Sequence, residues 1–218
     1  MVKVKVVEQV TKANDQIASG NQALLDANKT LAVNLMASPG AGKTSLLMRT
    51  VEALRGRLRM GAIEGDTASQ VDADRVATTG IPVVQINTGG GCRLDANMVR
   101  PALKELPLEE LDLLLIENVG NLVCPAGMAL GQHVDVVIAS VPEGDDKPYK
   151  YPGIFLGVDA VVVNKTDLLP YLDFDMPAFR ELIAGMNPRA RLFEVSCKTG
   201  EGIEAWADWL AGQCSKKS

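Results

Sequence analysis

The chain has 218 residues, of which 47% are hydrophobic and 22% are charged. This length suffices for one domain with a buried core, and the composition excludes wholesale disorder. A net charge of −5 and an aromatic content of 4% argue against nucleic acid or an anionic membrane as a partner. Four cysteines are too few for a disulfide framework, and one histidine excludes a histidine-rich metal store. We therefore expect a reduced, cytoplasmic protein without a membrane span.

Short apolar runs alternate with helical patterns along the chain. An amphipathic helix is predicted from Val6 to about Ala27, and Gly20 marks a potential break. Strands are then predicted at 31–36, 60–63, 83–86, 111–116, 134–139, 160–163 and 191–195, and helices at 43–54, 70–79, 94–106, 177–186 and 202–211. Residues 143–152 are predicted to form a surface loop. Buried strands that alternate with helices indicate an α/β fold, with a mostly parallel sheet covered by helices on both faces. We assign residues 1–30 to an N-terminal helix and 31–218 to one structural domain.

A glycine-rich segment, Ala37-Ser-Pro-Gly-Ala-Gly-Lys-Thr-Ser45, lies between the first strand and the next helix. In this context it predicts a phosphate loop and a three-layer P-loop NTPase fold, because backbone N–H groups and a helix N-terminus can surround phosphate oxygens. Lys43 would reach the β- and γ-phosphates, and the Thr44 hydroxyl would bind Mg²⁺. The alternative is a glycine-rich helix cap, and Ala37 replaces the glycine usual at the first position. The predicted phosphate-binding residues are Gly40, Ala41, Gly42, Lys43, Thr44 and Ser45.

A second motif, Asn164-Lys-Thr-Asp167, follows a later strand and indicates a guanine base. Asp167 can accept hydrogen bonds from N1–H and N2–H₂ of guanine, a pair of donors that adenine lacks. Asn164 would face the O6 and N7 side of the base, and the stem of Lys165 would cover its plane. The segment after the last strand completes the predicted pocket with Ser196, Cys197 and Lys198, the last near guanine O6. The two motifs together predict a GTP site.

Two carboxylates follow predicted strands between these motifs. We assign Asp66 to Mg²⁺ and to positioning of water, and Glu117 with Gly120 to a switch that senses the γ-phosphate. Either carboxylate alone is equally compatible with capping a helix. The predicted catalytic residues are Lys43, Asp66 and Glu117. The sequence contains no recognisable arginine finger, so we predict slow intrinsic turnover.

Cys92 and Cys124 occupy two loops that also follow strands. Thiolates suit Zn²⁺ or Ni²⁺, but two are too few for a tetrahedral site, so a two-fold dimer would have to supply two more. The alternative is that both are ordinary small buried residues. Cys197, and Cys214 near a frayed C-terminus, receive no metal-binding role.

Together these motifs resemble the HypB family of hydrogenase maturation factors over essentially the whole chain. The most specific segments are Glu117-Asn-Val-Gly-Asn121 and Glu143-Gly-Asp-Asp-Lys-Pro148. The resemblance implies a GTP-dependent homodimer that delivers nickel to [NiFe]-hydrogenase, with a nickel or zinc site at the dimer interface. It also implies a HypA-type nickel metallochaperone and a hydrogenase large-subunit precursor as partners. Lys150 matches a lysine that reaches a nucleotide on the neighbouring subunit.

Two features depart from the family pattern. Arg93 stands where the family usually has a metal-binding histidine, and residues 1–30 contain neither cysteine nor histidine. The metal site is therefore weaker, or a four-thiolate site shared between subunits, or lost, with His133 as an unfavoured substitute ligand. A urease-type nickel GTPase and a non-hydrolysing metal-binding scaffold are the alternative functions. The first has Cys-Pro-His in its metal loop, whereas Cys92 is followed here by Arg93 and Leu94.

Overall fold

A computed structural model describes residues 12–67 and 70–217 of the chain. Its centre is a seven-stranded sheet in the order β3-β2-β4-β1-β5-β6-β7, and every pair of neighbouring strands is parallel. The strands are β1 Leu31–Ala37, β2 Met60–Asp66, β3 Val83–Asn87, β4 Leu113–Glu117, β5 Val134–Ser140, β6 Ala160–Asn164 and β7 Arg191–Glu194. Because all strands run the same way, their carboxyl ends meet at one edge, where ligands bind in such sheets.

Helices connect the strands and cover both faces of the sheet. They are α1 Lys12–Ala27, α2 Lys43–Leu54, α3 Val71–Ala77, α4 Ala96–Lys104, α5 Lys147–Lys150, α6 Pro152–Phe155, α7 Met176–Met186 and α8 Ile203–Lys217. Short 3₁₀ turns lie at 108–110, 141–143 and 166–171. Within the described part of the chain, no helix is both long and apolar enough to span a bilayer.

The central strand β1 shows how the layers form. Alternate residues point to opposite faces, so Leu31, Val33 and Leu35 pack with α2 and α8 in one apolar cluster. On the opposite face, Ala32 packs with α1 and α4, and Met36 packs with α6 and α7. Every residue of β1 is buried, as expected for a central parallel strand. The predicted three-layer α/β fold is confirmed.

The predicted break at Gly20 is wrong, because α1 continues through this residue. The buried Asn21 amide donates hydrogen bonds to the carbonyls of Ala96 and Leu130, both at 2.9 Å. These contacts hold α1 against the α4 region and offset the cost of a helical glycine, which is about 1 kcal/mol. The part of the predicted helix from Val6 to residue 11 lies outside the described residues.

Two other local predictions are also wrong. Residues 143–152 are not an irregular loop, because α5 and the start of α6 lie there and Pro148 is buried. Cys214 does not lie in a frayed terminus, because α8 runs to Lys217 and buries this thiol in the core with Trp206. In both segments tertiary packing stabilises helices that local sequence preference predicts only weakly.

His133 lies just before β5, at the edge of the sheet opposite to the strands' carboxyl ends. Its Nδ1 accepts a hydrogen bond from the Ala32 N–H at 2.9 Å, and its Nε2 lies 3.2 Å from Asp26 Oδ1. The ammonium group of Lys217 contacts the ring and also donates to the Thr30 carbonyl at 2.8 Å. This cluster ties α1, β1 and the end of α8 together around a neutral imidazole.

This arrangement predicts a pH-dependent stability. Burial lowers the pKa of His133, and the positive charge of Lys217 lowers it further while Asp26 opposes the shift. Because the unfolded imidazole binds its proton near pH 6.5, the contribution is fully present above that pH and is lost as pH falls toward the lowered pKa. Chemical denaturation from pH 8 to pH 5 should therefore show a steeper loss for the wild type than for His133→Gln. Equal slopes would contradict this, since the packing cost of the substitution cancels in the comparison.

Candidate nucleotide site and cysteine pair

The phosphate loop joins β1 to α2 in a conformation that depends on its glycines. Gly40 and Gly42 have φ values of 79° and 98°, which favour glycine. A Cβ at Gly42 would lie 2.4 Å from the Asn164 Nδ2 atom, so close approach of the base motif also requires glycine there. Ala37 is the last residue of β1 and is fully buried. The replacement of glycine at this position therefore leaves the turn intact.

Lys43 and Thr44 begin α2 and face a cavity of about 540 Å³ at the carboxyl edge of the sheet. The Thr44 hydroxyl donates to Glu117 Oε1 at 3.0 Å, and Lys43 Nζ lies 3.9 Å from the same oxygen. Asp66 and Gly120 line the same cavity. The structure thus brings together the residues that the sequence assigned to phosphate, Mg²⁺ and the γ-phosphate switch.

Both carboxylates were predicted to follow their strands, and this detail is wrong. Asp66 is the last residue of β2 and Glu117 the last of β4, so both belong to the sheet itself. The sequence assigned Glu117 to the switch and to catalysis but not to Mg²⁺, yet it is the carboxylate that contacts Thr44. Regular strand geometry therefore fixes both groups at the floor of the cavity more firmly than a loop would.

Glu64 lies beside Glu117 on the neighbouring strand β2. Burial raises the pKa of Glu64 to about 10, with the charge of Glu117 as the next cause, and burial also raises the pKa of Glu117. Glu64 Oε1 and Glu117 Oε2 are buried and have no hydrogen-bond partner. A hard cation such as Mg²⁺ prefers oxygen ligands, and these two buried oxygens without a hydrogen-bond partner lie close to the Thr44 hydroxyl. The residues present therefore fit Mg²⁺.

A second cavity of about 440 Å³ adjoins the first and is lined by the residues predicted to hold the base. Both cavities share Gly42, Ser45 and Lys165. Asp167 accepts a hydrogen bond from the Ser196 hydroxyl at 2.7 Å, and this serine is fully buried. The other lining residues from the predictions are Asn164, Cys197 and Lys198.

Asn164 and Lys165 connect the base pocket to the phosphate loop. The Asn164 amide donates to the Ala41 carbonyl at 2.9 Å and accepts from the backbone N–H groups of Lys165 and Cys197. Lys165 has a left-handed backbone, with φ 63°, and its Nζ donates to the Gly40 carbonyl at 2.7 Å. Asn164, which the sequence assigned only to the base, therefore also fixes the distance between the two halves of the site.

Three predicted nucleotide contacts, Ala41, Ser196 and Lys150, line neither cavity. Ala41 and Ser196 are buried and hydrogen-bond to the lining residues Asn164 and Asp167, whereas Lys150 has no such contact among the described residues. It lies on α5, exposed, and forms an ion pair with Asp146. Within a single chain this lysine and the nucleotide site are separate. A role for Lys150 stays a prediction that requires a second subunit.

The structure brings Cys92 and Cys124 together in the loops that follow β3 and β4. The Cys92 thiol is the main cause that raises the pKa of Cys124, while the charge of Arg93 opposes it. Asn121 accepts hydrogen bonds from the Val123 and Cys124 N–H groups and so shapes the second loop. Across residues 12–67 and 70–217, no three or more His, Cys, Asp or Glu side chains gather as a metal-binding group. His133, the unfavoured substitute ligand, lies at the opposite edge of the sheet.

Sequence reasoning missed the role of Asn118. This fully buried residue follows Glu117, and its Oδ1 accepts from the Leu94 N–H at 3.0 Å, two residues after Cys92. Its Nδ2 donates to Asn34 on β1 at 3.1 Å. One amide thus connects the floor of the phosphate cavity to the Cys92 loop. The sequence signal that could have indicated this role is the position of Asn118 within the segment Glu117–Asn121.

The fold and the phosphate cavity define a P-loop nucleotide-binding protein. The family described as CobW/HypB/UreG, nucleotide-binding domain, matches residues 31–194. Hydrogenase maturation factor HypB of Azotobacter vinelandii is 48% identical over 96% of this chain and 69% of its own length. The crystal structure of HypB from Archaeoglobus fulgidus has a TM-score of 0.87 at 41% identity and covers 93% of this chain and 99% of that one. The HypB structure from Helicobacter pylori in complex with nickel has a TM-score of 0.89 at 35% identity, over 94% and 96% of the two chains. The chain belongs to the HypB family of hydrogenase maturation factors.

Proposed function

We propose that this protein binds and hydrolyses GTP and uses the cycle to hand over nickel during maturation of [NiFe]-hydrogenase. The observation that carries the nucleotide part is the pair of adjoining cavities, which share the phosphate-loop residues Gly42 and Ser45 and the base-motif residue Lys165. A continuous site with a lysine and glycine-rich loop at one end and an aspartate at the other fits a guanine nucleotide.

Each residue of the phosphate cavity has a separate role in the proposed hydrolysis. Lys43 leaves its contact with Glu117 to neutralise the β- and γ-phosphates, and the loop amides bind the remaining oxygens. Thr44, Asp66 and Glu117 would hold Mg²⁺ or its water ligands, and the ion would supply positive charge beside the β- and γ-phosphates. Gly120 lines the cavity beside Pro39 of the phosphate loop, where an added Cβ would lie 3.1 Å from the Pro39 Cα, and we assign its N–H to the γ-phosphate. Asp66 positions the attacking water.

The proposed cargo site consists of Cys92 and Cys124 with the same two residues of a second copy. Two adjacent thiols, without a third ligand among the described residues, make half of a tetrahedral site. The nickel complex of the Helicobacter pylori relative supports nickel as the cargo, and Zn²⁺ suits the same ligands. Arg93 favours the thiolate form at Cys124 electrostatically. The proposed partners are a HypA-type metallochaperone and the precursor of the hydrogenase large subunit.

The cysteine site is tested by titrating nickel and zinc into the wild type, Cys92→Ala and Cys124→Ala, with sedimentation in GDP and in a non-hydrolysable GTP analogue. We expect one ion per dimer in the wild type, loss of that ion in both variants, and dimers favoured by the analogue. Cys214→Ala removes a thiol buried in the core on α8 and should bind metal like the wild type. Equal binding to all four proteins would show that the proposed site does not exist.

A further inference from the structure

An arginine occupies the phosphate cavity, although no motif in the sequence indicated one. Arg75 lies on the short helix α3 and lines the cavity together with Lys43, Thr44 and Gly120. Its guanidinium donates to Asp72 Oδ1 at 3.2 Å. Among the described residues this is its only side-chain hydrogen bond, so most of its donors are available to a ligand.

The ion pair of Arg75 with Asp72 lies in the phosphate cavity, because both residues line it. The charge of Asp72 is one of the causes that raise the pKa values of Glu117, which lines the cavity, and of Glu64 beside it on β2. Asp72 and Arg75 are absent from the lining of the base pocket. Arg75 also lines a neighbouring groove, but its partner Asp72 lines the phosphate cavity and not that groove, so the ion pair directs the guanidinium toward the phosphate part of the site.

We infer that Arg75 is a catalytic residue that binds phosphate oxygens of the bound GTP and stabilises the charge that develops during hydrolysis. This inference rests on the proposed GTPase activity. A guanidinium presents several donors in a plane and binds phosphate with two of them at once, which a lysine cannot do. Triphosphate oxygens would compete with Asp72 for those donors, and Asp72 would hold the guanidinium again after phosphate leaves.

In the step concerned, water adds to the γ-phosphorus and the bond from that phosphorus to the bridging oxygen breaks. The electron pair of the broken bond stays on the β-phosphate of GDP, and a proton of the water passes to the released phosphate or solvent. Negative charge thus increases on the bridging oxygen and the β-phosphate in the transition state. A positive group that supplements Lys43 at this position accelerates the step more than it strengthens binding.

The test compares Arg75→Ala and Arg75→Lys with the wild type by single-turnover GTP hydrolysis and by titration with GDP and a non-hydrolysable GTP analogue. We expect Arg75→Ala to lower the rate of hydrolysis by about 10²-fold, with a smaller fall in affinity, and Arg75→Lys to restore part of the rate. Arg55→Ala is the matched control, because Arg55 lines only the neighbouring grooves and donates to the Thr79 carbonyl.

Asp72→Asn separates catalysis from structure. It removes the charge of the partner but keeps the guanidinium, so we expect it to retain more hydrolysis than Arg75→Ala. Equal losses in the two variants would mean that the ion pair only anchors α3, and a wild-type rate in Arg75→Ala would also overturn the inference. If the wild type itself does not hydrolyse GTP, the proposed function fails. Arg75→Ala must then still weaken binding of the triphosphate analogue relative to GDP, or the inference fails as well.

Discussion

Replacement of Lys43 by alanine is expected to lower GTP hydrolysis by on the order of 10²–10³-fold or more. Lys43 is the buried cation at the start of α2, and its only ion pair among the described residues is with Glu117. Without it, the β- and γ-phosphate oxygens lose their main protein counter-charge in the transition state. Single-turnover hydrolysis of GTP in the presence of Mg²⁺ measures the effect.

The same variant distinguishes a GTPase from a metal-binding scaffold. Cys92 and Cys124 lie in loops outside the phosphate cavity, so Lys43→Ala should bind nickel or zinc at these cysteines as the wild type does. Loss of hydrolysis with retained metal binding is the expected pair of results. Hydrolysis at the wild-type rate would show that the turnover does not occur at the phosphate loop.

Replacement of Asp167 by asparagine should change the base that the protein accepts. The aspartate offers only acceptors, which match the N1–H and N2–H₂ donors of guanine, whereas asparagine directs an N–H₂ group toward one of them. A mismatched pocket of this kind rejects a ligand strongly, so we expect GTP affinity to fall by about 10²-fold or more. Xanthosine triphosphate, which carries an oxygen in place of the 2-amino group, should bind the variant better than GTP does.

Competition titrations with GTP, ATP and xanthosine triphosphate measure this exchange. Asp173→Asn is a matched control, because Asp173 is exposed and lines neither cavity. Its nucleotide preferences should equal those of the wild type. An unchanged preference in Asp167→Asn would place the base elsewhere, while a general loss of every nucleotide together with a lowered Tm would point to the lost Ser196 contact instead.

The sequence predicted the framework of the site because its signals are local and periodic. Buried strands with short connections indicated a parallel sheet, and a glycine-rich Lys-Thr segment between a strand and a helix is a specific sign of phosphate binding. The helix predicted at 43–54 coincides with α2. Parallel topology then determines which loops meet, so that Lys43 and Asp167 could be assigned to one site from positions far apart in the chain.

The remaining features depend on tertiary contacts that no local pattern contains. In the sequence, Arg75 is one charged residue of a predicted helix and belongs to no motif. Only the packing of α3 brings it to the cavity. The boundaries of β2 and β4 were missed because Glu64 and Glu117 are charged residues inside buried strands. Burial of a carboxylate opposes folding unless a ligand is bound, and hydrophobic patterns therefore predict an end to the strand at such residues.

Because all strands run in the same direction, the sheet has a carboxyl rim, where the strands end, and an amino rim, where they begin, and the two rims have different roles. At the carboxyl rim lie the phosphate loop, the buried glutamates, Cys92 and Cys124, and burial makes the ionised form of these glutamates costly unless a cation is bound beside them. At the amino rim, contacts of Asp26 with His133 and Lys217 join the first described helix, α1, to the last, α8. A substitution at the amino rim is therefore expected to change the stability of the fold, and a substitution at the carboxyl rim is expected to change ligand binding. Ligand binding at the carboxyl rim should stabilise the whole domain, since the fold in the absence of ligand bears the cost of those glutamates alone.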